Sequence, residues 1–127
     1  MPVINIENVK EQFIELSGLD SSQAQVYDGL VTACVNEAEK ALDSSRIADD
    51  SDREICEFAA AAEAFYRYIC LLAAEEKIIC TAQGSAVEKY SDEGRIKAAG
   101  ELRDSAVSRA ERFFGGDSFV FSSVISY

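Results

Sequence analysis

Apolar residues recur along this chain at helical rather than alternating spacing, and the densest run organises the rest. Between Phe58 and Ala74 only Glu63 and Arg67 are charged. A helix there is apolar around most of its circumference, as expected of an element with neighbours on nearly every side. The pattern predicts a central core helix over residues 51–79, opened by a Ser51 and Glu54 capping box. Ile55, Phe58, Ala59, Ala62, Tyr66, Ile69 and Ala73 form one face, and the alanine run at 59–62 lets neighbouring helices approach closely. Glu63 and Arg67, spaced i and i+4, are expected to pair along the one stripe left for solvent or for a partner.

Ile6, Val9, Phe13 and Leu16 recur every three or four positions, with Asn5 as cap and Gly18 as stop, so residues 6–16 read as a short amphipathic helix. A second helix is predicted over residues 22–42. It opens on a Ser22 and Gln25 capping box and carries the stripe Tyr27, Leu30, Val31, Cys34, Ala38, Ala41 and Leu42. Residues 43–52 have the composition of an exposed connection. The pattern breaks at residues 80–90, where the alternation from Ala86 to Tyr90 fits a short strand or arm. A charged helix follows from residue 91 or 92 to 114, burying Ile96, Ala99, Leu102, Ala106, Ala110 and Phe113 and stopped by Gly115 and Gly116.

The last eleven residues differ in kind. Phe119, Val120, Phe121, Val124, Ile125 and Tyr127 are too rich in aromatic and β-branched side chains for a helix tail and predict a strand or extended arm. A lone strand is not stable by itself, so this one pairs with residues 86–90, lies on the helices, or adds to another subunit. The expected fold is mainly α: a small bundle of about four helices around a long central helix, with a short β segment or extended C-terminal arm. Residues 1–116 form the helical domain, and residues 117–127 form a strand or arm of the same domain.

Charge narrows the partners. Twelve Lys plus Arg against 23 Asp plus Glu give a formal net charge of -11, which opposes binding to phosphate backbones. The N-terminal stretch lacks the basic start and apolar run of a signal peptide, and Glu63 and Arg67 interrupt the longest apolar run, so no membrane span is expected. The acidic cluster Asp49, Asp50, Asp52 and Glu54 lacks the glycine and distal glutamate of a calcium loop and instead suits a helix N-terminus.

Candidate chemistry is sparse. The chain has no histidine, no phosphate-cradling glycine loop and no nucleophile elbow. Cys34, Cys56, Cys70 and Cys80 show no metal-ligand spacing and read as free thiols in a reducing compartment. On a continuous helix Cys56 and Cys70 lie about 21 Å apart, beyond disulfide reach. Cys56 sits among carboxylates, which raise rather than lower a thiol pKa. No catalytic residue, metal site or cofactor is expected, and the candidate interface comprises Phe119, Phe121, Val124, Ile125, Tyr127, Val87 and Tyr90.

The order of elements, with Val9 to Leu16, FAAAAEAFYRYI at 58–69 and GSAVEKYSDEGRIKAAGELRDSAVSRAERFF at 84–114, resembles the head-tail connector or adaptor proteins of tailed phages and prophages. The resemblance covers residues 6–114 and is one of pattern. It implies a structural subunit in a ring-like homo-oligomer joining portal to tail-completion proteins, in the host cytoplasm during assembly and then in the virion neck. DNA only passes through the channel, whose acidic wall repels it. The tail after Gly116 has no counterpart in the pattern. A different class of function is a cytoplasmic helical interaction or regulatory module that binds a partner through residues 119–127, and a third is a cysteine-dependent enzyme.

Overall fold

A 34-residue helix, α4, forms the axis on which every other long element packs. The computed structural model describes the backbone of residues 3–83 and 89–115, and the side chains of these residues outside 76–92. In chain order the helices are α1 (Ile6–Ser17), α2 (Ser21–Ala24), α3 (Asp28–Ala41), α4 (Asp50–Gln83) and α5 (Lys89–Ala110). The mainly helical bundle expected from the periodicity is the observed architecture. Among the described residues no helix is long and apolar enough to cross a membrane.

Helix α1 begins and ends where its caps dictate. The Asn5 side chain accepts from the Glu7 N–H at 2.9 Å, and Gly18, at φ +73°, donates its N–H to the Ile14 carbonyl. That left-handed conformation costs glycine little. Val9 and Phe13 are the buried residues of the helix.

The second predicted helix is divided. Asp20, not Ser22, is the cap, accepting from the Gln23 N–H at 2.8 Å while the Gln23 side chain accepts from the Asp20 N–H. One turn later the chain tightens into a 3-10 turn, Gln25–Tyr27, before α3 begins. The interruption turns Tyr27 inward against Phe13, with ring centroids 6.3 Å apart, and against Tyr68, at 4.8 Å edge-on. Phe13 and Tyr68 complete the cluster at 5.6 Å. Aromatic contacts of this geometry add to area burial.

Helix α4 is capped by Asp49 rather than by Ser51 and Glu54. Asp49 Oδ1 accepts from the Asp52 N–H at 3.0 Å, and the Asp52 carboxylate accepts in return from the Ala48 N–H. Asp50 pairs with Arg53 at 3.1 Å. The acidic cluster is therefore spent on starting the helix.

The break predicted over residues 80–90 is narrower than expected. Helix α4 continues to Gln83, because residues 80–83 contain no glycine or proline, and α5 already includes Lys89 and Tyr90. Lys89 and Tyr90 are thus helical backbone, which corrects the expected strand at those two positions; residues 86–88, Val87 among them, lie outside the described residues. The other end of α5 is also adjusted. The helix gives way at Ala110 to a 3-10 turn, Glu111–Phe113, and the buried Phe114 is extended and bridges antiparallel to Leu42. Asp43 N–H donates to Phe113 O, Gly115 N–H to Ala41 O, and the Arg46 guanidinium to the carbonyls of Arg112 and Phe114. These bonds tie the end of α5 to the end of α3.

In the middle of α4 the face predicted from sequence is too narrow. Ala59 to Ala62 and Ala64 have no exposed surface, nor has Cys56, whereas Ile55, Phe58, Tyr66 and Ala73 are only partly covered. Alanine methyls let helices pack closely on several sides, and the larger side chains fill the gaps between them. Beyond Ile69 and Cys70 the cover thins, and Leu71 is 46% exposed.

Candidate functional site

The residues singled out as an interface do not gather in the described part of the molecule. Phe119, Phe121, Val124, Ile125 and Tyr127 lie outside the described residues, as does Val87, and of Tyr90 only its place in α5 is described. The described residues hold their own polar constellations instead, and each begins from a charged residue in an apolar setting.

The first joins α3, α4 and α5. Glu63 and Arg67 are 1% and 8% exposed, so the stripe predicted to face solvent or a partner lies inside the bundle. Arg67 Nε meets Glu63 Oε1 at 3.1 Å and its Nη2 meets Glu37 Oε2 at 2.9 Å. Arg103 brings Nη1 to 3.6 Å from Glu63 Oε2, pairs with Asp104 at 2.9 Å, and lies 4.2 Å over the Tyr66 ring. Gly100 lies beside the same ring, where a Cβ would make ordinary contact at 3.4 Å.

Burial pushes the Glu63 carboxyl above its ordinary pKa, against the opposing pull of Arg67 and Arg103. Removing the carboxylate from water costs more than the two cations return, the usual balance for ion pairs inside proteins. Sequence reasoning missed Glu37 and Arg103 as members. The available signal was the i, i+4 pair itself, because charges in so apolar a run need partners if the helix is surrounded.

A second constellation fastens the N-terminal stretch. Glu57 has no exposed surface and accepts from the Asn5 N–H at 2.7 Å and from Asn8 Nδ2 at 3.2 Å, with Arg53 Nε 3.5 Å away. Glu39 accepts from the N–H groups of Val3 and Ile4 at 2.8 and 3.0 Å. Two carboxylates thereby satisfy three successive backbone donors that no helix or strand serves. Replacing Glu57 by leucine is expected to release this stretch, raising amide exchange at residues 3–5 and the start of α1 about tenfold or more, while the middle of α4 stays protected. Hydrogen exchange mass spectrometry checks it; unchanged exchange at residues 3–9 would contradict the fastening.

Two of the thiols, Cys34 and Cys56, have little nucleophilic character. Burial pushes Cys34 up to about 12, and Cys56 is pushed up to about 12 by burial and then by Asp52, Glu57 and Glu39. Cys34, Cys56 and Cys70 are buried and free, and Cys56 and Cys70 sit on the unbroken α4. At neutral pH Cys34 and Cys56 remain thiols, and the thiolate is the attacking species in cysteine chemistry.

The described surface carries a cleft and an exposed apolar pair. An open cleft of about 270 Å3 lies between α1, the start of α4 and the end of α5. Ile55, Phe58 and Ala106 give it an apolar lining, with Gln12, Ser51, Glu54 and Arg109 around them. Gln12 Oε1 is buried without a hydrogen-bond partner among the described residues. Val26 and Leu71 are the exposed large apolar residues among those described, at 78% and 46%. Val26 precedes Tyr27 and Leu71 follows Tyr68 by one turn, so the Tyr27 and Tyr68 contact places them at the same end of the bundle.

Comparison with protein-family models, with curated proteins and with solved structures gave no match in any of the three.

Proposed function

We propose that this chain is a structural subunit of a phage or prophage head-tail connector. In this reading it forms a ring-shaped homo-oligomer that joins portal to tail-completion proteins, first in the host cytoplasm and then in the virion neck. Its work is protein contact, not catalysis, and DNA only passes through the channel. The supporting observation is the end of the bundle that carries Val26 and Leu71. At 1.5 Å per residue the 34 residues of α4 span about 51 Å, against about 18 Å for the 12 residues of α1 and about 21 Å for the 14 residues of α3. Helix α4 therefore outruns α1 and α3 where exposed apolar side chains stand, and such surface is the usual material of subunit contacts.

The resemblance in sequence pattern supplies the specific assembly, and the net charge of -11 suits a wall that DNA slides past without adhering. Mass photometry and sedimentation at micromolar concentration are expected to find a ring-sized oligomer, alone or on addition of portal protein. Val26→Glu combined with Leu71→Glu should shift the population to monomer with helical circular dichroism retained, since both side chains already face water. A wild-type chain that stays monomeric and binds neither portal nor tail proteins would remove the connector reading.

A further inference from the structure

We propose that copies of this chain join head to tail, the Val26 and Leu71 end of one copy seating in the next copy's cleft between α1, the start of α4 and the end of α5. The inference rests on the self-association proposed above and names the surface that meets those two side chains. Ile55, Phe58 and Ala106 give the cleft an apolar lining. Its volume of about 270 Å3 lies below the roughly 300–1,000 Å3 of small-molecule pockets and suits one or two aliphatic side chains. Val26 and Leu71, the exposed large apolar residues among those described, are such side chains.

Charge matches the two patches. Arg109 lines the cleft, and Glu75 follows Leu71 by four residues, on the same face of α4. Both are exposed, and neither has an ion-pair partner among the described residues, although Glu54 lines the same cleft as Arg109. Burial is the largest influence on the Tyr68 hydroxyl, and among charged residues Arg95 and Glu75 act on it, so both stand near the contact of Tyr68 with Tyr27. In the joined pair Glu75 meets Arg109, and Arg95 has the sign to face Glu54.

The same charges disfavour a two-fold contact. Pairing the Leu71 patch with itself would bring Glu75 towards Glu75 in a chain of net charge -11, and like charges across an interface cost affinity. Ile55 and Leu71 lie 16 residues, about 24 Å, apart along α4, so the cleft and the Leu71 patch are different surfaces. A contact between two different patches is heterologous, and its repetition closes a ring or extends a filament.

The test combines charge reversal with cross-linking on the full chain at micromolar concentration, alone and with portal protein. Arg109→Glu and Glu75→Arg should each weaken association about tenfold or more in sedimentation, with helical circular dichroism retained because both side chains are exposed. The two variants mixed in equal amounts, or combined in one chain, should associate to within about threefold of the parent, since each restores the opposite signs. Chains with photoreactive benzoylphenylalanine in place of the exposed Ala74, mixed from light and heavy isotopic forms, should give mixed-mass cross-links to residues 51–58 or 106–109. An oligomer whose mixed-mass cross-links fall elsewhere, or that ignores both reversals, overturns the head-to-tail contact and leaves the ring-forming subunit standing. A chain that is monomeric under every condition removes both.

Discussion

Ala62→Glu is expected to abolish the fold. Ala62 has no exposed surface and stands in a run of alanines, Ala59 to Ala62, that are all fully covered. The methyl groups are small because helices cross there, and adding a longer side chain to a filled interior costs about 1–3 kcal/mol in strain alone. The carboxylate adds several kcal/mol more, since it leaves water without a counter-charge placed for it. Against a total stability of roughly 5–15 kcal/mol for a domain, the sum removes most or all of the margin.

Circular dichroism should show little helix at 25 °C and no cooperative melt. Ala62→Ser, which keeps the size nearly constant, should cost only about 1–3 kcal/mol and remain folded. A cooperative transition for Ala62→Glu within a few degrees of the parent would mean that the helices are not packed closely at this point.

The buried network gives the second large effect. Arg67→Met removes the cation that meets Glu63 at 3.1 Å and Glu37 at 2.9 Å, leaving the buried carboxylate of Glu63 facing Arg103 at 3.6 Å. Breaking a buried pair by deleting one partner costs about 3–5 kcal/mol, which at this chain length lowers Tm by on the order of 10 °C or more. Glu63→Leu combined with Arg67→Met should recover a large part of that loss. The isolated charge disappears, and apolar side chains of similar volume suit the surroundings. If the double variant is no more stable than Arg67→Met alone, the penalty of an unpaired carboxylate is not the cause.

The same carboxylate sets a sign for pH. Because the folded state holds Glu63 above its ordinary pKa, the folded chain binds more protons than the unfolded chain between those two values. Stability from this group is fully present below the unfolded carboxylate pKa and is lost as pH rises through the folded one. Subtracting the Tm of Glu63→Gln from that of the parent, from pH 4 to neutrality, should give a difference that moves against the parent as pH rises. A difference that moves the other way would show that Arg67 and Arg103 outweigh burial.

Local signals carried much of the architecture. Asn5 and Gly18 mark the limits of α1 because caps act on the nearest backbone groups and need no distant neighbour. The stripe from Ile96 to Phe113 is covered as its spacing implies. The misreadings share one origin. Several cap-compatible residues stand near each of two helix starts, and the choice of Asp20 over Ser22 and of Asp49 over Ser51 depends on where the preceding chain comes from. Tyr27 leaves the helical path for a contact with Tyr68, a residue 41 positions away. Phe114 leaves it to pair with Leu42. Propensity is a weak prior wherever a tertiary contact of this size competes with it.

What the sequence determined by itself is the helical class and the central place of the apolar run in α4, because periodicity and composition act over one or two turns. The tertiary structure alone decided whether Glu63 and Arg67 face water or the interior. On an isolated helix they are an ordinary i, i+4 pair. Within the bundle they are enclosed, because α3 brings Glu37 and α5 brings Arg103 to the same place, and a charge can be buried only where distant parts of the chain supply its partners.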